Sequence, residues 1–247
     1  MPRLLDSLFV NEQGTKIVLT DKGRSSLMSI LTCRNIMYQE VYWHKTVRAC
    51  NAMFKRFFYE FSSRLHAAQA DLENLLSMTD DGFVKSLYHD AGGSNDGLGD
   101  LIAPFVPLAR ELYKPAYVFH ASNADREPRG TRSFFEALLS KSSYADSLVL
   151  VHKLADVLKT ELPSIRPTDV LLETTPVRVE HERSVLQGFA LWSPRKGRYD
   201  SLPLETSNLN MYLVNNRQAY IFCHPRLYDA FRKISPERLG MVLGKVV

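Results

Sequence analysis

The chain has 247 residues, 45% of them hydrophobic and 23% charged, which fits a globular chain with a sizeable core and excludes a disordered or fibrous one. Its formal net charge is only +4, spread among acids, so it leaves room for an anionic ligand but argues against duplex DNA, which calls for a concentrated basic face. Cys33, Cys50 and Cys223 are too few and too far apart for a disulfide framework or a zinc knuckle, and no apolar run approaches the roughly 18 residues of a membrane span, so a reducing, cytoplasmic setting is expected.

In chain order, Leu8-Phe9-Val10 and Lys16-Ile17-Val18-Leu19-Thr20 flank a Gly-containing turn and predict a short hairpin. Asp21 is a plausible helix N-cap, and Leu27, Ile30 and Leu31 recur at helical spacing. A second helical pattern runs from Val41 through Val47, Met53, Phe57 and Phe61, giving two long helices or one bent one over roughly residues 21–66. Thr79-Asp80-Asp81-Gly82 supplies a cap and first-turn acids for a short helix. A Gly-rich loop then precedes a helical run from Leu98 to Tyr113, in which Pro104 and Pro107 mark a start or a kink.

Ala116-Tyr117-Val118-Phe119 reads as a strand, and the polar segment Ser122–Arg132 as a linker, followed by helices at Phe134–Leu139 and Leu148–Leu158. Short apolar runs then predict strands at Val170–Leu172, Val177–Val179, Phe189–Trp192, Met211–Val214 and Ala219–Phe222, with an Asn215-Asn216 turn between the last two. Leu227–Ile234 and Pro236–Val246 close the chain as helices. The expected class is α+β, with a mostly helical portion over 1–121 and a smaller mixed α/β domain over 133–247.

The segment richest in chemistry is Arg34-Asn35-Ile36-Met37-Tyr38-Gln39-Glu40-Val41-Tyr42-Trp43-His44-Lys45-Thr46-Val47-Arg48. If it is helical, Arg34, Tyr38 and Tyr42 share one stripe and His44 and Arg48, with Lys45 beside them, share another. One face then suits a triphosphate and a base, the other a second anion. A plainer reading makes Arg34 a capping or ion-paired residue and the tyrosines amphipathic core.

That segment, together with Asp21-Lys22-Gly23, Thr79-Asp80-Asp81-Gly82-Phe83 and Arg110-Glu111-Leu112-Tyr113-Lys114, resembles the HD-domain phosphohydrolases of the deoxynucleoside-triphosphate triphosphohydrolase type. The resemblance covers residues 8–120 well and 165–235 loosely, and it is to the half of the family that follows the metal site. It implies that Arg34 contacts a triphosphate, that Tyr42 contacts a nucleoside and that Tyr38 lies on the same face. It also implies that His44 and Lys45 belong to the side where some members hold a second, regulatory nucleotide, and Arg48 joins that candidate second site through its place on the same helical stripe. No catalytic residue and no metal ligand is assigned here. The divalent metal that activates water in the family is expected only with an upstream half carrying its His, His-Asp and Asp ligands.

His89-Asp90 is a His-Asp doublet in the wrong setting, at a helix end before Ala91-Gly92-Gly93. The remaining histidines, His224 among them, have no ligand-like spacing and read as structural or surface groups. The expected function is therefore the C-terminal portion of an HD-type nucleotide phosphohydrolase, its partners a deoxynucleoside-triphosphate-like ligand and either an HD-bearing partner or a second copy. Two alternatives stand beside it. One is a noncatalytic nucleotide-binding or oligomerisation module; the other is a nucleic-acid accessory protein using Arg178, Arg183, Arg195, Lys196 and Arg198 with Trp192 and Tyr199 as stacking platforms.

Overall fold

A computed structural model describes residues 2–37, 41, 44–67, 77–91, 97–106, 111–141, 143–174, 190–193, 198–201 and 217–247. The first elements are α1 (Pro2–Leu5), β1 (Leu8–Val10), β2 (Ile17–Thr20), α2 (Arg24–Met37), α3 (Lys45–Ala67), α4 (Asp80–Ala91) and α5 (Leu98–Ile102). Next come β3 (Lys114–His120), α6 (Arg129–Leu139), α7 (Tyr144–Leu158) and β4 (Val170–Thr174). The chain continues through β5 (Ala190–Ser193), β6 (Arg198–Ser201), β7 (Gln218–Cys223), α8 (Pro225–Phe231) and α9 (Pro236–Gly244). The fold is α+β, and its contacts form two units, 1–44 with 176–217 and 45–175 with 218–247.

The first unit begins with the expected hairpin. Strands β1 and β2 pair antiparallel with Leu8 opposite Leu19 and Val10 opposite Ile17. The turn holds because the Asn11 carboxamide accepts from the backbone N–H groups of Thr15 and Lys16 at 2.8 and 2.9 Å, while Gly14 takes φ +68°, a conformation that glycine adopts without strain. Strand β5 joins β2 in parallel and β6 in antiparallel register, giving the order β1-β2-β5-β6. The core here is small: Leu19, Leu27 and Leu191, flanked by Leu4 and Leu8. Among the described α2 side chains only Leu27 is buried, whereas Met28, Ile30, Ile36 and Met37 are exposed.

The second unit is a sheet between two helical layers. Its order is β3-β7-β4, antiparallel throughout, with Leu171 opposite Phe222 and Leu172 opposite Ile221. Side chains alternate across a strand. Val170, Leu172, Ile221 and Cys223 therefore meet Phe134, Phe135 and Leu138 of α6, Leu154 and Leu158 of α7, and Leu239 and Leu243 of α9. Leu171, Tyr220 and Phe222 point the other way, onto Met53, Phe57 and Phe61 of α3, Leu87 of α4, and Leu101 and Ile102 of α5. Both faces are covered, so β4 and β7 read as continuous apolar runs rather than alternating ones.

This sheet takes β3 from the portion expected to be separate, 1–121, and β4 and β7 from 133–247. The segment expected to be a linker is structured: Ala121–Arg126 is a 3-10 turn and α6 starts at Arg129, with the Tyr117 hydroxyl donating to Glu127 and Arg132 reaching Asp125 at 2.8 Å. The expected Leu98–Tyr113 helix ends at Ile102, where Ala103–Phe105 tightens into a 3-10 turn around Pro104, and residues 111–113 are not helical. The β6 strand was not expected. The runs Val177–Val179 and Met211–Val214 and the Asn215-Asn216 turn lie outside the described residues. Among the described residues no helix is long and apolar enough to cross a membrane.

Candidate functional site

The helical pattern around Arg34 is present but interrupted. The described residues of α2 run to Met37, Val41 is helical, His44 is not, and α3 starts at Lys45. Arg34 sits half-buried in the last turn of α2, where a cation complements the helix end. Tyr38 and Tyr42 lie outside the described residues, as do Arg110, Arg178, Arg183, Arg195 and Lys196. The backbone N–H of His44 donates to the carbonyl of Val41 at 3.4 Å, and both His44 and Lys45 are exposed.

Arg48 differs from its two neighbours. It is 6% exposed, its Nη2 donates to the Thr174 carbonyl at 2.6 Å, and it is ion-paired with Glu173. Lys55, two turns farther along α3, reaches both oxygens of the same carboxylate at 2.9 and 3.2 Å. Glu173 is thus a 4%-exposed anion shared by two cations, and it ties α3 to the end of β4. The expected trio of His44, Lys45 and Arg48 on one helical face is not what the backbone builds: His44 precedes the helix, and Arg48 is committed to β4. Arg56, next to Lys55 in α3, is buried, pairs with Glu60 at 3.1 Å and has Nε and Nη1 without a hydrogen-bond partner. Its burial pulls the guanidinium below the ordinary arginine range.

A second polar centre had no sequence motif. The Asp169 carboxylate is fully buried at the start of β4 and accepts from Arg166 through the backbone N–H at 2.7 Å and through the guanidinium, and from Arg226 of α8. Arg166 also reaches Asp100 of α5 at 2.6 Å. His224 is hydrogen-bonded through its backbone N–H to the Asp169 carbonyl at 2.8 Å and holds Nε2 3.9 Å from Asp100. The Tyr113 hydroxyl donates to the Thr168 carbonyl at 3.0 Å, and its ring meets His224 edge-on. Two arginines face two aspartates, so the centre is neutral and satisfied and reads as a lock between α5, β4 and α8. The available local signals were the Arg166–Asp169 spacing around Pro167, which forms a capping box, and His224 before Pro225, a helix start.

The described residues do not compose a cation site. His89 Nδ1 and Asp90 Oδ1 stand 3.7 Å apart on solvent-facing side chains, and among the described residues no three His, Cys, Asp or Glu side chains gather where a metal could sit. Cys223 is a poor nucleophile, since burial pushes its thiol up to about 12.

Comparison with known proteins adds three findings. A family model described as the HD associated region matches residues 1–135. An uncharacterized protein of Methanocaldococcus jannaschii is 33% identical over 89 residues, which are 35% of this chain and 19% of that protein. The crystal structure of a hypothetical protein from Aquifex aeolicus shares the fold over 93% of this chain and 49% of its own, at 16% identity and a TM-score of 0.51. The chain therefore spans about a fifth of the curated relative's length and about half of the solved protein's.

Proposed function

This chain belongs to the family of the HD associated region, and from that premise we propose that it is the nucleotide-contacting portion of an HD-type phosphohydrolase acting on a deoxynucleoside-triphosphate-like substrate. The observation that carries the proposal is the family match over residues 1–135, which takes in α2, α3 and the segment between them. In this reading Arg34 forks onto the triphosphate, Tyr38 and Tyr42 hold the nucleoside, and His44 and Lys45 lie toward a second nucleotide. Arg48 anchors the start of α3 to β4 through Glu173, so its contribution is to positioning. Water activation belongs to the metal-bearing HD portion, and no step of it is assigned to residues described here.

The exposed apolar side chains of α2 support a partner. A helix of 14 residues with one buried described side chain has little tertiary support of its own, and helices of this length are marginal in isolation. Met28, Ile30, Ile36 and Met37, exposed by 37–48%, form the surface an HD-bearing portion would cover. A noncatalytic nucleotide-binding module would bind in the same way without turnover.

Isothermal calorimetry with a deoxynucleoside triphosphate tests the pocket. A charge-assisted arginine–phosphate contact contributes about 1.5–3 kcal/mol, so Arg34→Ala is expected to weaken binding by roughly 10- to 150-fold, with Arg34→Lys intermediate and raised salt weakening the wild type. An unchanged dissociation constant in a folded Arg34→Ala chain would make Arg34 purely structural.

A further inference from the structure

His224 is placed to sense protons. It is the N-cap of α8: Nδ1 accepts from the Arg226 N–H at 3.2 Å, which fixes the neutral tautomer with its proton on Nε2. The ring is mostly buried, with 14% of the side chain exposed. Charged groups approach it from every packed element. Asp100 comes from α5, Arg166 and Asp169 from the turn before β4, and Arg226 from its own helix, while the Tyr113 ring closes the side before β3.

We propose that His224 is an acid-sensitive latch, in which a proton taken from solvent onto Nδ1 removes the acceptor that caps α8 and sets the imidazolium in competition with Arg166 for Asp100. An imidazolium has no lone pair on either nitrogen, so it cannot accept from the Arg226 N–H, and that helix-end donor loses its partner. The new attraction is to Asp100, whose Oδ2 already takes Arg166 at 2.6 Å. Acidification therefore exchanges a cap within α8 for a pull across to α5 and loosens the link between α5 and β4.

Burial, the largest influence, holds the imidazole below its ordinary value of 6.5; Asp100 and Asp169 oppose this, and Arg226 and Arg166 reinforce it. A histidine depressed in the folded state contributes stability that is fully present above 6.5 and is lost as pH falls through the lower folded value.

NMR titration of the imidazole, with hydrogen exchange of the α8 amides between about pH 7.5 and about pH 5, tests the latch. After correction for intrinsic exchange, wild-type α8 is expected to open about fivefold more often in acid, the change expected for loss of one N-cap. His224→Asn keeps an oxygen acceptor and does not titrate, so its profile should stay flat. His224→Ala should be open at both ends of the range. Parallel profiles for wild type and His224→Asn, or an imidazole titrating at or above its ordinary value, would overturn the latch.

Discussion

Replacing Glu173 with alanine is expected to cost the second unit about 3–5 kcal/mol, the range for removing one partner of a buried ion pair. The carboxylate is 4% exposed, and its loss leaves the Arg48 guanidinium, 7% exposed in its side chain, with one carbonyl partner and an Nε that already has none. Lys55 is half exposed and can turn to water, so Lys55→Ala should cost less than about 1 kcal/mol. The diagnostic variant pairs Arg48→Met with Glu173→Leu. Exchanging both charges for apolar groups of similar size is often neutral, so the double substitution should recover most of what Glu173→Ala loses. Urea unfolding followed by circular dichroism measures all three. A Glu173→Ala chain no less stable than Lys55→Ala would show that the shared carboxylate does not bind α3 to β4.

The second large effect lies at the crossing of α6 and α9. A Cβ on Gly130 would stand 2.0 Å from the Gly240 carbonyl oxygen, 2.9 Å from its carbon and 3.1 Å from the Gly244 Cα. These are backbone atoms, so no side chain can rotate aside. The two helices would have to separate across the layer where Phe134, Phe135 and Leu138 meet Leu239, Val242 and Leu243. Overpacking of this kind typically costs about 1–3 kcal/mol or more, against the roughly 0.5–1 kcal/mol that alanine contributes by helix propensity. Gly130→Ala should therefore lower stability by about 2 kcal/mol, roughly 4–8 °C in Tm. At Gly14 nothing lies within 4 Å of an added Cβ and only the positive φ opposes it, so Gly14→Ala should cost about 1 kcal/mol or less. A Gly130→Ala chain as stable as wild type would mean that the two helices are free to part.

Local elements were legible in the sequence where a local cause makes them. The hairpin of Leu8–Val10 and Ile17–Thr20 follows from alternation around an Asn- and Gly-bearing turn, and α4 follows from Thr79, whose hydroxyl accepts from the Gly82 N–H at 3.3 Å. The central sheet was not legible, because nothing in a window of ten residues says that Lys114–His120 pairs with Gln218–Cys223. The same holds for the site. Arg34 could be singled out from its own surroundings, but the commitment of Arg48 to β4 depends on a carbonyl 126 positions away. His224 read only as a structural or surface group because its charged neighbours, Asp100 and Arg166, are distant in sequence. The division into α2 and α3 agrees with the expected two helices, but the spacing placed the second from Val41, whereas His44 is not helical and α3 starts at Lys45.

Turnover in the presence of a metal-bearing HD portion tests most directly the proposed triphosphate contact at Arg34. With that portion supplied and a divalent metal added, phosphate release from a deoxynucleoside triphosphate should require both polypeptide portions. Arg34→Ala should lower kcat/KM by roughly 10- to 150-fold, matching a lost charge-assisted phosphate contact, with the assembly itself intact by light scattering. An intact assembly in which Arg34→Ala turns over as fast as wild type, or in which the HD portion alone is fully active, would contradict the account.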